Sequence, residues 1–182
     1  MKRATQSGAI VLDLAGLDEG RSIIDFAVTA EALDLEDAYF RFPSPFEVDL
    51  EVNRSLHSIS VKARVGFALQ GECCRCVGST EKRMTTEFDF LIQHKQATLD
   101  ELEAMGEDDD VFLVDPGKHE LDLTARVREA AALELPMRVY CRDDCRGLCP
   151  QCGQNLNDKD CQCVEARVDP RWESLAKLNV GQ

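Results

Sequence analysis

The stretch "FEVDLEVNRSLHSISVKARVGFALQ", residues 46–70, decides the fold. Phe46, Val48, Leu50 and Val52 alternate with Glu47, Asp49 and Glu51. Beyond the polar turn "NRSLHS" (53–58), Ile59, Val61, Ala63, Val65, Phe67 and Leu69 alternate with Ser60, Lys62 and Arg64. Successive side chains of a strand point to opposite faces, so these two runs predict an antiparallel hairpin with one buried face. A third strand is expected over Lys82–Gln93, with Met84, Thr86, Phe88, Phe90 and Ile92 on one side. "GECCRCVGS" (71–79) then falls on the connection between the second and third strands.

Outward from this hairpin the signals vary. Ile10, Leu12 and Leu14 alternate as in a short strand. Residues 21–35 are ambiguous, because Ile23, Phe26 and Val28 fit neither the strand nor the helix period. "FPSPF" (42–46) is a turn, since its two prolines lack backbone donors and force extended neighbours. Residues 121–135 predict a helix that buries Leu123, Val127, Ala130 and Ala131 and stops at Pro136. "DPRWESLAKL" (169–178) predicts a short helix, with Asp169 as N-cap, Pro170 at the first turn, and Trp172 and Leu175 as anchors. The expected class is α+β. It comprises an antiparallel β-rich body, sheet or partly open barrel, with one or two helices over residues 1–136. A cysteine-rich zinc-binding segment over 137–182 follows and packs on that body.

The 182 residues are 44% hydrophobic and 30% charged, the balance of a soluble globular chain. No apolar run approaches a membrane span, and the N-terminus lacks the pattern of a secretory signal, so a cytoplasmic location is expected. The net charge of −13 is unevenly spread: residues 1–116 hold 11 basic against 23 acidic side chains, and residues 117–182 hold 10 against 11. An acidic body repels phosphate backbones, which argues against broad nucleic-acid binding and favours a basic protein partner. The acidic run 96–110 reads as a solvated loop or short helix, or as a docking patch for such a partner.

Eight of the nine cysteines have ligand spacing. In a reducing compartment, such sets point to metal rather than disulfides. Cys149-x-x-Cys152 presents two thiolates to one tetrahedral ion, Gly153 permits a positive φ there, and Cys161-x-Cys163 adds two sulfurs on one face of an extended segment. Cys141-x₃-Cys145 and Cys73-x-x-Cys76 are left as a second set, which would tie the β body to the tail. Two alternatives stand beside this partition. Cys145 could join the downstream site and free one C-x-C thiol. Cys74 and Cys76 could act as the upstream pair in place of Cys73 and Cys76. One or two structural Zn²⁺ ions are expected, with iron–sulfur ligation compatible with the spacing. Arg75, Arg142 and Arg146 flank the proposed ligands and are expected to offset thiolate charge through contacts to sulfur.

No catalytic constellation is present. His57, His94 and His119 are scattered, and neither a nucleophile elbow nor a phosphate-binding loop occurs. A closed four-thiolate site offers no vacant position to a substrate, so neither an enzyme nor a small-molecule substrate is expected. A thiol-based redox-responsive zinc protein, with Cys74 as trigger, is the alternative function. A DNA-binding regulator ranks last for want of a basic recognition helix.

"GECCRC" (71–76), "DLTARVREAAALELPMRVYC" (122–141), "DCRGLCPQCGQNLN" (144–157) and "DPRWESLAKL", in this order, resemble the YceD family of bacteria and plastids, the large ribosomal RNA subunit accumulation proteins. The resemblance runs from about residue 45 to the end. It implies a non-enzymatic role in ribosome biogenesis, namely accumulation or processing of large-subunit (23S) ribosomal RNA. It implies as partner a ribosomal protein or assembly factor, or the precursor RNA. The family's cysteine motifs fall here on Cys73, Cys76, Cys141, Cys145, Cys149, Cys152, Cys161 and Cys163, and Cys74 is an addition to the first motif.

Overall fold

The computed structural model describes residues 8–56, 58–94, 111–115, 117–163 and 171. The hairpin at its centre is the predicted one. Strand β3 (Phe46–Arg54) pairs antiparallel with β4 (Ile59–Glu72), placing Val48 opposite Val65 and Leu50 opposite Ala63. β4 pairs with the long β5 (Ser79–His94), as the third-strand expectation requires, and both strands outrun their predicted ends.

β3 is flanked on its other side by β2 (Gly20–Val28), the segment that periodicity left undecided. Its pattern is blurred because it lies at a sheet edge: Ile24, Phe26 and Val28 pack inward while Ile23 is exposed on the outer face. A four-residue β6 (Val111–Val114) joins β5 in parallel and completes the five-stranded order β2-β3-β4-β5-β6. The fold is thus mostly antiparallel sheet.

A second, two-stranded sheet corrects one expectation. β1 (Val11–Asp13) pairs with β7 (Glu120–Asp122), so residues 120–122 are strand and not the start of the helix. Leu121 and Leu123 are both buried, two residues apart, which is a strand spacing. Helix α1 (Thr124–Glu134) follows and buries Val127 and Ala131. Two side chains start it. Asp122 Oδ1 accepts the Thr124 N–H at 2.8 Å, and Thr124 Oγ1 accepts the Ile10 N–H at 2.9 Å, tying the helix to β1. Among the described residues α1 is the one α-helix, and no helix is long and apolar enough to cross a membrane.

The core lies between the inner face of the large sheet and the β1/β7–α1 unit. Ile10, Leu12, Phe46, Leu50, Val52, Val61, Leu69, Ile92, Leu123 and Val127 are fully buried in it. Phe42, from the proline turn, packs against Phe46 and Phe67, whose rings stack at 4.8 Å. Each such side chain contributes roughly 1.5–3 kcal/mol by leaving water. Val139, just past α1, belongs to the same core, and this anchors the start of the cysteine-rich segment. The acidic run 96–110 and the expected helix 169–178, apart from Arg171, lie outside the described residues.

Candidate metal centre

Long strands β4 and β5 carry the turn "CCRCVG" beyond the sheet, where it meets the segment that follows α1. Cys73 N–H donates to the Gly78 carbonyl and Val77 N–H to the Cys73 carbonyl, closing a tight knuckle. Cys74 N–H binds the Val139 carbonyl at 2.9 Å, and Leu148 N–H binds the Arg75 carbonyl at 3.1 Å. The Arg75 guanidinium reaches the carbonyls of Asp143 (2.9 Å) and Cys145 (3.1 Å) and lies over the Tyr140 ring. These bonds hold 141–148 against the knuckle.

The result is two sets of four sulfurs. Cys73, Cys76, Cys141 and Cys145 form the first, and Cys149, Cys152, Cys161 and Cys163 the second; within each set all sulfurs lie within 4.8 Å of one another. Cys73 Sγ is 3.8 Å from Cys145 Sγ, and Cys76 Sγ is 3.7 Å from Cys141 Sγ. Four thiolates at the Zn–S distance of 2.3 Å would stand about 3.8 Å apart at the corners of a tetrahedron. The geometry therefore suits a tetrahedral ion. The eight cysteines singled out in the sequence are brought together in the partition of upstream with middle pair and C-x-x-C with C-x-C. Cys145 does not join the downstream set. Cys74 is exposed and belongs to neither.

Electrostatics points the same way. Burial pushes the Cys73 thiol up, but backbone N–H groups of Cys141, Cys76 and Arg75 outweigh it and hold its pKa at about 6. Cys149 is likewise lowered to about 6, by the N–H groups of Cys152 and Gln151. Their neighbours move the other way: burial and the adjacent thiols push Cys141 to about 12, and Cys152 together with burial pushes Cys163 to about 12. Sulfurs this close cannot all ionise unless a cation sits among them, whereas a metal ion takes all four as thiolates.

The surrounding backbone is built for sulfur. The Gly78 N–H is aimed at Cys76 and the Gly147 N–H at Cys145. Gly153 has φ +74°, as its place after Cys152 predicts, and its N–H returns to the Cys149 carbonyl. The matching position after Cys76 is Val77, which holds φ +59° without being glycine. Gly147, at φ +75°, lies so near the Arg75 carbonyl that a Cβ would come within 3.0 Å of it.

The arginine expectation needs correction. Arg75 binds carbonyls, Arg142 pairs with Asp144 and Asn157, and Arg146 pairs with Asp160 at 2.6 Å. Guanidinium groups find better partners in oxygen than in sulfur. The sulfur donor that sequence reasoning missed is Asn157, whose Nδ2 lies 3.3 Å from Cys145 Sγ. It stands in "GQNLNDKD", which composition marks only as a turn. His119 is exposed and lies in neither set, His57 lies outside the described residues, and His94 enters only as the last residue of β5. A groove of about 1280 Å³ opens beside the first set, with Tyr39, Cys74, Val77 and Met137 among its lining.

The family model described as "Large ribosomal RNA subunit accumulation protein YceD" matches residues 61–179, a span that holds both sulfur sets. An uncharacterized protein of Mycobacterium tuberculosis is 33% identical over 132 residues, covering 72% of this chain and 61% of its own length. A protein of Arabidopsis thaliana named "Large ribosomal RNA subunit accumulation protein YCED homolog 1, chloroplastic" is 24% identical over 178 residues, covering 86% of this chain and 54% of its own. An uncharacterized protein of Bacillus subtilis, YlbN, is 36% identical over 73 residues, 40% of this chain and 41% of its own. The chain thus spans about 61% of the mycobacterial relative's length. No solved structure matches. With the family model covering well over half of its residues, the chain belongs to the YceD family.

Proposed function

We propose that this chain is a non-enzymatic ribosome-biogenesis factor supporting accumulation or processing of large-subunit ribosomal RNA, with a structural Zn²⁺ in each sulfur set. The observation that carries the proposal is the family match over residues 61–179. The metal is zinc because soft thiolates in tetrahedral array favour it. Cys73, Cys76, Cys141 and Cys145 would hold one ion and Cys149, Cys152, Cys161 and Cys163 the other. Four protein ligands close each site, so the ions shape a surface and turn over no substrate.

The partner is a basic ribosomal protein or assembly factor, with precursor RNA contacted through the near-neutral C-terminal part. The outer face of the large sheet supports this choice. Arg21 and Arg64 there are taken up by Glu51 and Glu87, and Lys62 stands between Glu51 and Asp89, while Asp25 and Asp49 stand opposite each other across β2 and β3 with Arg64 on the far side of Asp49. Like charges placed this way cost stability and repel phosphate, and they suit cationic side chains. Depleting the protein should lower mature large-subunit RNA relative to small-subunit RNA and shift subunit profiles. Normal RNA levels and profiles after depletion would refute the proposed function. Crosslinking the tagged chain in cells and identifying bound protein and RNA together would name the partner.

A further inference from the structure

We infer that Asn157 is a positioning residue that couples the two metal centres, so that the first set reaches full affinity only when the second has closed its loop. This inference rests on the zinc assignment above. Asn157 belongs by sequence to the second centre, in the loop bounded by Cys152 and Cys161. By contact it serves the first, through Nδ2 to Cys145 Sγ.

Its carboxamide has no freedom to serve otherwise. Oδ1 accepts from the Arg146 N–H at 2.8 Å and from the Arg142 guanidinium at 2.7 Å. Both partners are donors, which fixes the oxygen on their side and turns the NH₂ toward sulfur. The second N–H is held by Asn155 Oδ1 at 2.8 Å, so both donors are committed. The loop is seated by its backbone as well: Leu156 N–H binds at 2.9 Å the carbonyl of Gly147, the same glycine whose N–H is directed at Cys145. Asn155 in turn bridges to Leu148.

The consequence follows from chain connectivity. Holding Cys149 and Cys152 to Cys161 and Cys163 closes both ends of the loop that carries Asn157 and reinforces the bonds that seat it. Without that closure the N–H aimed at Cys145 is held less firmly, and part of the compensation for thiolate charge at the first ion is lost. Coupling of this kind is reciprocal in binding free energy.

The test adds Zn²⁺ stepwise, at buffered free concentrations, to the reduced metal-free full chain. Alkylation and mass spectrometry then follow protection of Cys73, Cys76, Cys141 and Cys145. Four proteins are compared: the unaltered chain, Asn157→Asp, the double substitution Cys161→Ser with Cys163→Ser, and all three changes together. Asn157→Asp keeps the shape, removes both N–H donors and sets a carboxylate against Cys145 Sγ and Asn155 Oδ1. It should raise the zinc needed to protect the first set at least about tenfold, the scale expected for a lost outer hydrogen bond. Opening the second centre should raise it comparably, and the combination should raise it no further. With Co²⁺ as a spectroscopic substitute, Asn157→Asp should also shift the sulfur-to-metal charge-transfer absorption of the first centre. Indifference of the first set to Asn157→Asp or to opening the second centre, or losses that simply add, would overturn the coupling. Failure of Zn²⁺ to protect either set in the unaltered chain would instead overturn the zinc assignment, and the coupling with it.

Discussion

Val77 shows what the first knuckle demands of single residues. The chain turns after Cys76 as it does after Cys152, and only the second turn has a glycine to do it. A β-branched side chain at positive φ is strained, by an amount on the order of 1 kcal/mol or more. Val77→Gly should therefore raise the unfolding free energy of the zinc-loaded protein by about 1 kcal/mol. Chemical denaturation would show it, and an unchanged or lowered midpoint would speak against strain at this position. Asp122 makes a second case. The hydroxyl and N–H of Thr124 hold its carboxyl below the usual range, so its folded pKa is depressed. Such a group stabilises the fold above its unfolded pKa, and the contribution disappears as pH falls through the folded value. Asp122→Ala should lower the unfolding midpoint near neutral pH, and the gap from the unaltered protein should narrow on acidification. A gap independent of pH would mean that the Asp122 carboxylate charge is not the cause. Both residues were opaque in the sequence: nothing in "CRCVG" announces a left-handed valine, and Asp122 reads there as part of the helix and not as the last residue of a strand.

At the scale of elements, the β3–β4–β5 meander was legible because each strand has one wet and one dry face. Alternation is the direct imprint of that asymmetry. Leu50 sits midway along β3, fully buried between Ala63 of β4 and Ile24 of β2. Leu50→Ala should destabilise the protein by about 2–5 kcal/mol, readable as a lowered midpoint in thermal or denaturant unfolding. A loss well under 1 kcal/mol would mean that the dry face of the meander is not the core. β2 was illegible for the opposite reason, since an edge strand pairs on one side and exposes Ile23 beside the inward-facing run of half-buried Ile24 and Phe26 and buried Val28. The β1–β7 pair could not be foreseen, because its two strands are three residues each and more than a hundred residues apart. Their register depends on tertiary contact, which periodicity does not report. The sulfur sets lie between these extremes. Ligand spacing selects the thiols, and the Gly78 and Gly147 N–H groups lie two residues beyond the cysteines they serve, but the Asn157 amide reaches Cys145 only once the loops meet.

The whole molecule is two kinds of structure joined at one place. A sheet body stabilised by apolar burial ends in the β4–β5 knuckle, and residues 141–163, poor in buried apolar side chains, bring two sets of sulfurs together beside it. Among residues 141–163, Cys145 and Cys149 are the buried apolar side chains, so an ion bound in each sulfur set would do there what a core does elsewhere. Chelation should accordingly raise hydrogen exchange across 73–78 and 141–163, while Val48–Val52 and Val61–Leu69 keep their protection. Equal loosening everywhere would contradict a metal-stapled tail on an independent body. The most direct measurement is native mass spectrometry, with elemental analysis, of the full chain purified under reducing conditions. Two zinc ions per chain are expected, with Cys74→Ser retaining both, and Cys73→Ser and Cys149→Ser each losing one. A chain that carries no bound metal, or one whose metal count depends on Cys74, would contradict the account.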